Sequence, residues 1–148
     1  MGNFSSGWRD CGRWSDANFW RWTPQAGEIP QEAVKLIRRV ERPAVDYNTD
    51  QALTLIRESC SSLYVATESD KIVGALVISV SQSVTLGPVL EIEACSFKPR
   101  QAKERWEFIQ ALAKQNDCQK IRAISSRPLH KTFPDLQPCE AVFYSEVN

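Results

Sequence analysis

Two glutamates, Glu91 and Glu93, stand two residues apart in the alternating stretch VLEIEACSF. Alternate residues of a strand share a face, so both carboxylates point away from the side that carries Leu90, Ile92 and Ala94. A carboxylate held in a half-buried cleft is a general-base candidate, because burial favours its protonated form. A cationic cluster follows at once: Arg100, Lys103 and Arg105, in KPRQAKERWEF, where alternation gives way to helical spacing. The first turn of a helix has free amides facing outward, and cations there suit a phosphate or another anion. No glycine lies at this junction, however, and side chains crowd a cradle made of bare main chain. The third cluster is N-terminal, where Trp8, Trp14, Trp20 and Trp22 interleave with Arg9, Arg13 and Arg21. Those residue types dominate protein interfaces, and they also stack on and neutralise single-stranded nucleic acid.

The elements that must hold these groups follow from periodicity. Residues 1–18 lack a regular period and read as an irregular Trp/Arg-rich arm, with a folded domain over 19–148. FWRWT alternates as a first strand, with Trp20 and Trp22 on one side and Phe19 and Arg21 on the other. PQEAVKLIRRVE and NTDQALTLIRESC carry helical spacing, the second capped by Thr49 or Asp50, with Ala52, Leu55, Ile56 and Ser59 on its inner stripe. SLYVATESDKIVGALVISV reads as two strands joined at Ser69 and Asp70, apolar on both faces and so interior to a sheet. After the glutamate strand comes the strongest helix, from about Arg100 to Gln115, with Ala102, Trp106, Ile109 and Ala113 on one face and Phe108 and Leu112 beside them. KIRAISS, a proline-punctuated link and AVFYSEV complete an α/β chain: a mixed, twisted sheet of about six strands flanked by helices.

Composition narrows the classes. At 148 residues with 43% hydrophobic and 24% charged content, the chain suits one globular domain. Lys plus Arg and Asp plus Glu are equal at 18 each, which leaves no overall field for nucleic acid or an acidic membrane. No apolar run is long enough to cross a bilayer, and no secretory leader is evident, which implies a protein that stays where it is made. The five cysteines show no C-x-x-C spacing, and the single histidine, His130, has no partner in a known motif, so no metal site is expected. Cys60 and Cys95 read as buried thiols.

The order of elements, with YVATESDKIVGALVIS, VLEIEACS and CQKIRAISSRP in sequence, resembles the GCN5-related N-acetyltransferase fold over roughly residues 19–147. Active members bind the pyrophosphate of acyl-CoA with a [RQ]-x-x-G-x-[GA] loop at the start of the helix after the glutamate strand. Here Arg100 matches the first position, while Lys103 and Arg105 replace the glycines. Members commonly use a strand glutamate as base, for which Glu91 or Glu93 qualifies. They also use a tyrosine after the next strand as acid, where this chain has His130 and Phe133, with Tyr144 further on. Within that family VLEIEACS, the helix ending in NDC, KIRAISSRP and the LHKTFPDL…AVFYSEV tail look like those of small phage-encoded members found among virion and assembly genes.

That resemblance implies a non-catalytic structural or assembly protein of a phage virion, without cofactor, in the host cytoplasm or the virion. It would dock on partner subunits through Trp8, Arg9, Arg13, Trp14, Trp20 and Trp22. The alternative is an acetyl-CoA-dependent N-acetyltransferase with a degenerate loop, Arg100, Lys103 and Arg105 holding the cofactor and Glu91 or Glu93 the base. A single-stranded nucleic-acid module is the remaining alternative.

Overall fold

The computed structural model describes residues 6–14, 16–41, 48–97 and 102–123. Its sheet runs in the order β1 (Arg9–Trp14), β2 (Ala17–Arg21), β3 (Ser62–Glu68), β4 (Lys71–Ser83), β5 (Gly87–Ser96) and β6 (Lys120–Ala123). Neighbours are antiparallel except β5 and β6. A parallel pair needs a crossover, and α3 (Ala102–Gln115) supplies it. α1 (Gln31–Arg38) and α2 (Thr49–Arg57) lie between β2 and β3 in sequence. The mixed α/β sheet with flanking helices is the expected one.

Alternation along the strands builds two cores. On one face Phe19, Tyr64, Leu76, Ile78, Leu90 and Ile92 meet Trp106, Phe108, Ile109 and Leu112 of α3, with Phe19 and Phe108 stacked at 4.1 Å between centroids. On the other, Trp22, Leu63, Val65, Ala75, Val77 and Ala94 meet Val34 and Ile37 of α1 and Leu53 and Ile56 of α2. β3 and β4 are thus buried on both sides, as their unbroken apolar runs require. Their connection is tight: Ser69 and Asp70 both take positive φ, at 49° and 63°, the conformation two-residue hairpin loops demand.

Several local expectations are corrected. The cap of α2 is Asn48, whose side chain accepts from Gln51 N at 2.9 Å; Thr49 is fully buried, its amide donating to Glu41 at 3.0 Å. The inner stripe of α2 is Ala52, Leu53 and Ile56, while Ser59 is exposed at φ 63° beyond the helix end. Cys60 is exposed, whereas Cys95, intermediate in exposure as a whole residue, has its thiol withdrawn from water as expected.

The largest difference is N-terminal. Residues 9–14, read as part of an irregular arm, form edge strand β1, and β2 runs across the expected boundary at residue 18. The pairing of β1 with β2 slips between Asp10 and Arg13, with Gly12 at φ 97°. Asp10 fixes that irregularity by accepting from Gly12 N at 2.8 Å and Asn18 Nδ2 at 3.0 Å, bonds that hold its carboxyl below the usual range. The tryptophans pack on the chain's own sheet. Trp14 sets its edge on Phe108 at 5.8 Å, and Trp8 and Trp20 flank the core on the α1/α2 face. Trp22 is 8% exposed and donates to Gly27 O at 3.1 Å. AVFYSEV lies outside the described residues, among which the sheet has six strands, β1 included.

Candidate active site

β5 carries both candidate bases, and a bulge separates them. Ile92 faces Ile78 of β4 and Ala94 faces Val77, so Glu93 is the extra residue. The bulge also moves Ala94 to the α1/α2 face, away from Leu90 and Ile92. Strict alternation would have kept the three together.

Glu91 and Glu93 then meet different surroundings. Glu91 lies opposite Arg122 of β6 and forms an ion pair with it, receiving Nε at 2.8 Å and a second, shorter bond from the same guanidinium. Its carboxylate is occupied by a partner. Glu93 accepts from the hydroxyl of Ser61, at 3.0 and 3.2 Å to its two oxygens. Ser61 is 6% exposed and sits where the chain leaves α2 for β3, its own amide bonded to Leu55 O. One hydroxyl leaves most of the Glu93 lone pairs open to another donor.

The β5–α3 junction holds the cationic cluster. Arg100 lies outside the described residues, Lys103 is exposed on the first turn of α3, and Arg105 turns inward. Only 4% of Arg105 is exposed, and its guanidinium sits 5.1 Å from the ring centroid of Phe97, the residue after β5. Arg105 shares the α3 face of Phe108, Ile109 and Leu112. Cys95 lies nearby, its thiol pushed up to about 12 by burial and drawn back in part by the Arg105 charge. Phe97 fits because Gly74 of β4 leaves room beneath its ring. Sequence reasoning missed Phe97, Gly74 and Ser61 as parts of this region; Gly74 inside an apolar strand was the one visible signal.

The steric case against a cofactor cradle therefore weakens. Arg105 points into the core and does not block the outer side of the helix N-terminus. The first turn offers amides without intrahelical acceptors and an exposed Lys103, a chemistry that suits a diphosphate. Glu104 adds a carboxylate to that turn, with Oε2 withdrawn from solvent. His130, Phe133 and Tyr144 lie outside the described residues.

No protein-family model and no curated protein matches the chain. Solved structures do. A predicted acetyltransferase with acetyl-CoA from Clostridium acetobutylicum is similar at TM-score 0.60 and 17% identity, over 89% of this chain and 96% of that one. The fold is GNAT-like. The ribosomal-protein-alanine N-acetyltransferase from Brucella melitensis biovar Abortus 2308 gives 0.61 and 11%, over 89% and 97%. AAC(6′)-Iy, in complex with the bisubstrate analogue CoA-S-monomethyl-acetylneamine, gives 0.58 and 14%, over 80% and 91%.

These likenesses overturn two expectations. The reading as a non-catalytic virion component has no support, since these structural neighbours are acetyltransferases. The expectation of no cofactor falls with it, because relatives of this fold are solved with acetyl-CoA or a CoA analogue. Among the described residues no helix is long and apolar enough to cross a membrane.

Proposed function

We propose that this chain is an acetyl-CoA-dependent N-acetyltransferase in which Glu93 is the general base. The observation that supports it is the β5 bulge, which sets Glu93 apart from the strand ladder with its carboxylate steadied by one buried hydroxyl, while Glu91 is tied to Arg122. Bound acetyl-CoA would supply an acyl thioester. Lys103 and the first amides of α3 would hold its diphosphate, and Phe97 with Arg105 would stiffen the junction beneath. Glu93 takes the proton of an amine at a carboxylate oxygen while Ser61 fixes the rotamer. Charge on the carboxylate matters most as the ammonium forms, and a half-dry strand face strengthens that effect.

Thermal unfolding in acetyl-CoA is the first test. At a hundred times the dissociation constant the apparent stability rises by about 2.7 kcal/mol. With a panel of small amines and N-terminal peptides, product measured by mass spectrometry should fall about 100-fold or more in Glu93→Gln. The acetyl-CoA stabilisation should persist in that variant. No stabilisation of the wild-type chain by millimolar acetyl-CoA would end the proposal. Stabilisation with full activity in Glu93→Gln would leave the cofactor and remove Glu93 as base.

A further inference from the structure

A cleft lies on the α3 face of the sheet at the C-terminal end of α3, the opposite end of that helix from the β5–α3 junction. Its volume is about 360 Å³. The strand wall is Arg21, Ser62 and Tyr64, the helix wall is Gln115 and Asn116, and Ile78 lies at the floor. Placement follows from register: Arg21 of β2 pairs with Tyr64 of β3, and Ser62 pairs with Ile78 of β4, so side chains of like parity converge on one face.

The charge of this cleft is one-sided. Among the described residues that line it, Arg21 is the cation and none is Asp or Glu. Asp117 follows Asn116 and Glu58 stands two residues before Cys60, yet neither is among the described lining residues. Arg21 is already oriented: it donates to Ser62 Oγ at 3.1 Å and lies 6.0 Å from the Tyr64 ring centroid. A guanidinium has five N–H donors, so these contacts leave donors for a ligand. Arg9 lies opposite Arg21 on β1 and adds positive potential that reaches the Tyr64 phenol, whose titration burial nevertheless pushes upward. The helix wall is the C-terminal end of α3, and its last carbonyls are closed from within the chain, so they do not stand bare toward an anion. Asn116 N and Nδ2 close Leu112 O, and the amides of Asp117 and Cys118 close Lys114 O and Ala113 O.

We propose that this cleft binds a small organic anion, a carboxylate or phosphomonoester, with Arg21 as the ion-pairing residue and Ser62 as its orienting partner. The occupant's polar remainder meets Gln115 and Asn116. A planar guanidinium braced from one side presents a fork matched to two anionic oxygens. The proposal stands apart from acyl transfer, because none of its residues belongs to the β5–α3 junction.

The test is an NMR titration of the full chain with inorganic phosphate and, separately, with malonate. Either anion should shift the Arg21 side-chain Nε–H and the Ser62 and Tyr64 amides in a saturable way, with half-saturation on the order of 1 mM. Which of the two binds more tightly distinguishes a phosphate from a carboxylate ligand. Arg21→Gln should weaken binding about tenfold or more, and Arg21→Lys should recover part of it. Absence of saturable shifts in the wild-type chain with both anions overturns the proposal, as does undiminished binding in a folded Arg21→Gln variant. Should that variant fail to fold, wild-type shifts confined to residues outside this cleft overturn it equally.

Discussion

Replacing Gly74 with alanine should destabilise the protein through the ring of Phe97 alone. A methyl carbon built at Gly74 lies 2.5 Å from Cε1 and 2.8 Å from Cγ of that ring, and nearer still to Cδ1. Real contacts of this kind sit near 3.5 Å or beyond, so the ring must move by about 1 Å. It has little room: Phe19 stands 5.9 Å away between centroids, and the Arg105 guanidinium covers another side at 5.1 Å. Overpacking of this sort costs about 1–3 kcal/mol. The backbone of Gly74 is not in the left-handed region, so alanine also reduces unfolded-state entropy, a gain of about 0.4–1 kcal/mol. The net loss is then about 1–2 kcal/mol, or about 3–6 °C in Tm for a chain of this size.

Urea unfolding of a four-member set (wild type, Gly74→Ala, Phe97→Ala and the double variant) isolates the contact. In the Phe97→Ala background the Gly74 substitution should cost nothing or stabilise slightly, since only the entropic gain remains. An equal loss in both backgrounds would show that the ring is not what glycine accommodates, and the packed junction beneath α3 would lose its physical basis.

Alkaline stability should fall with Cys95 as a principal cause. Its thiol ionises at about 12 in the folded chain against an ordinary 9.0, so above pH 9 the unfolded chain releases a proton that the native state keeps. Stability is fully present below pH 9 and declines above it, by about 1.4 kcal/mol per unit for one such group. Burial raises Cys11, Tyr64 and Cys118 as well, so the slope of unfolding free energy between pH 9 and 10 should lessen in Cys95→Ala without vanishing, and an unchanged slope refutes the assignment. Trp14 has a buried Nε1 without a partner among the described residues, so Trp14→Phe should be neutral or mildly stabilising in urea. Trp14→Ala, which also loses the Phe108 edge, should cost about 2 kcal/mol; equal losses in the two variants would refute the distinction. Deleting residues 1–14 removes β1 with Trp14, and Trp8 before it, and should cost about 3 kcal/mol by circular dichroism, whereas a truncated chain of full stability would restore the reading of this segment as a dispensable arm.

What the sequence disclosed depended on whether one rule governed a residue. The α3 stripe was legible because Trp106, Ile109 and Ala113 obey a single helical period and are apolar. Arg105 obeys it too, lying three, four and seven residues before Phe108, Ile109 and Leu112, yet its charge assigned it to the cationic cluster instead of the stripe. Position was the better guide. A long aliphatic stem lets arginine follow an apolar stripe while its planar head lies on an aromatic face, here Phe97. β1 was illegible for the opposite reason: a register slip and a positive-φ glycine remove the alternation that would announce a strand, in a segment too polar for hydrophobicity to show it. The bulge at Glu93 left no trace at all, since an inserted residue in VLEIEACS looks like one more step of alternation.

The same distinction bears on the missing glycines. A glycine in a phosphate loop matters because it leaves space on the side from which the anion approaches. Counting glycines is a substitute for measuring that space, and it fails where a large side chain leaves by another route. Arg105 leaves inward, to 4% exposure, so its bulk does not fall on the approach to the α3 N-terminus. Among the described residues, what remains in the outer first turn is Lys103 beside Glu104, and the flexible ammonium of Lys103 adds attraction as readily as obstruction. Lys103→Ala and Lys103→Glu separate the two effects. If the ammonium attracts the diphosphate, alanine weakens the stabilisation by acetyl-CoA, glutamate weakens it more, and both losses shrink at high salt. If it obstructs, alanine strengthens it. Strengthening would restore the view that this junction is closed to the cofactor by its side chains.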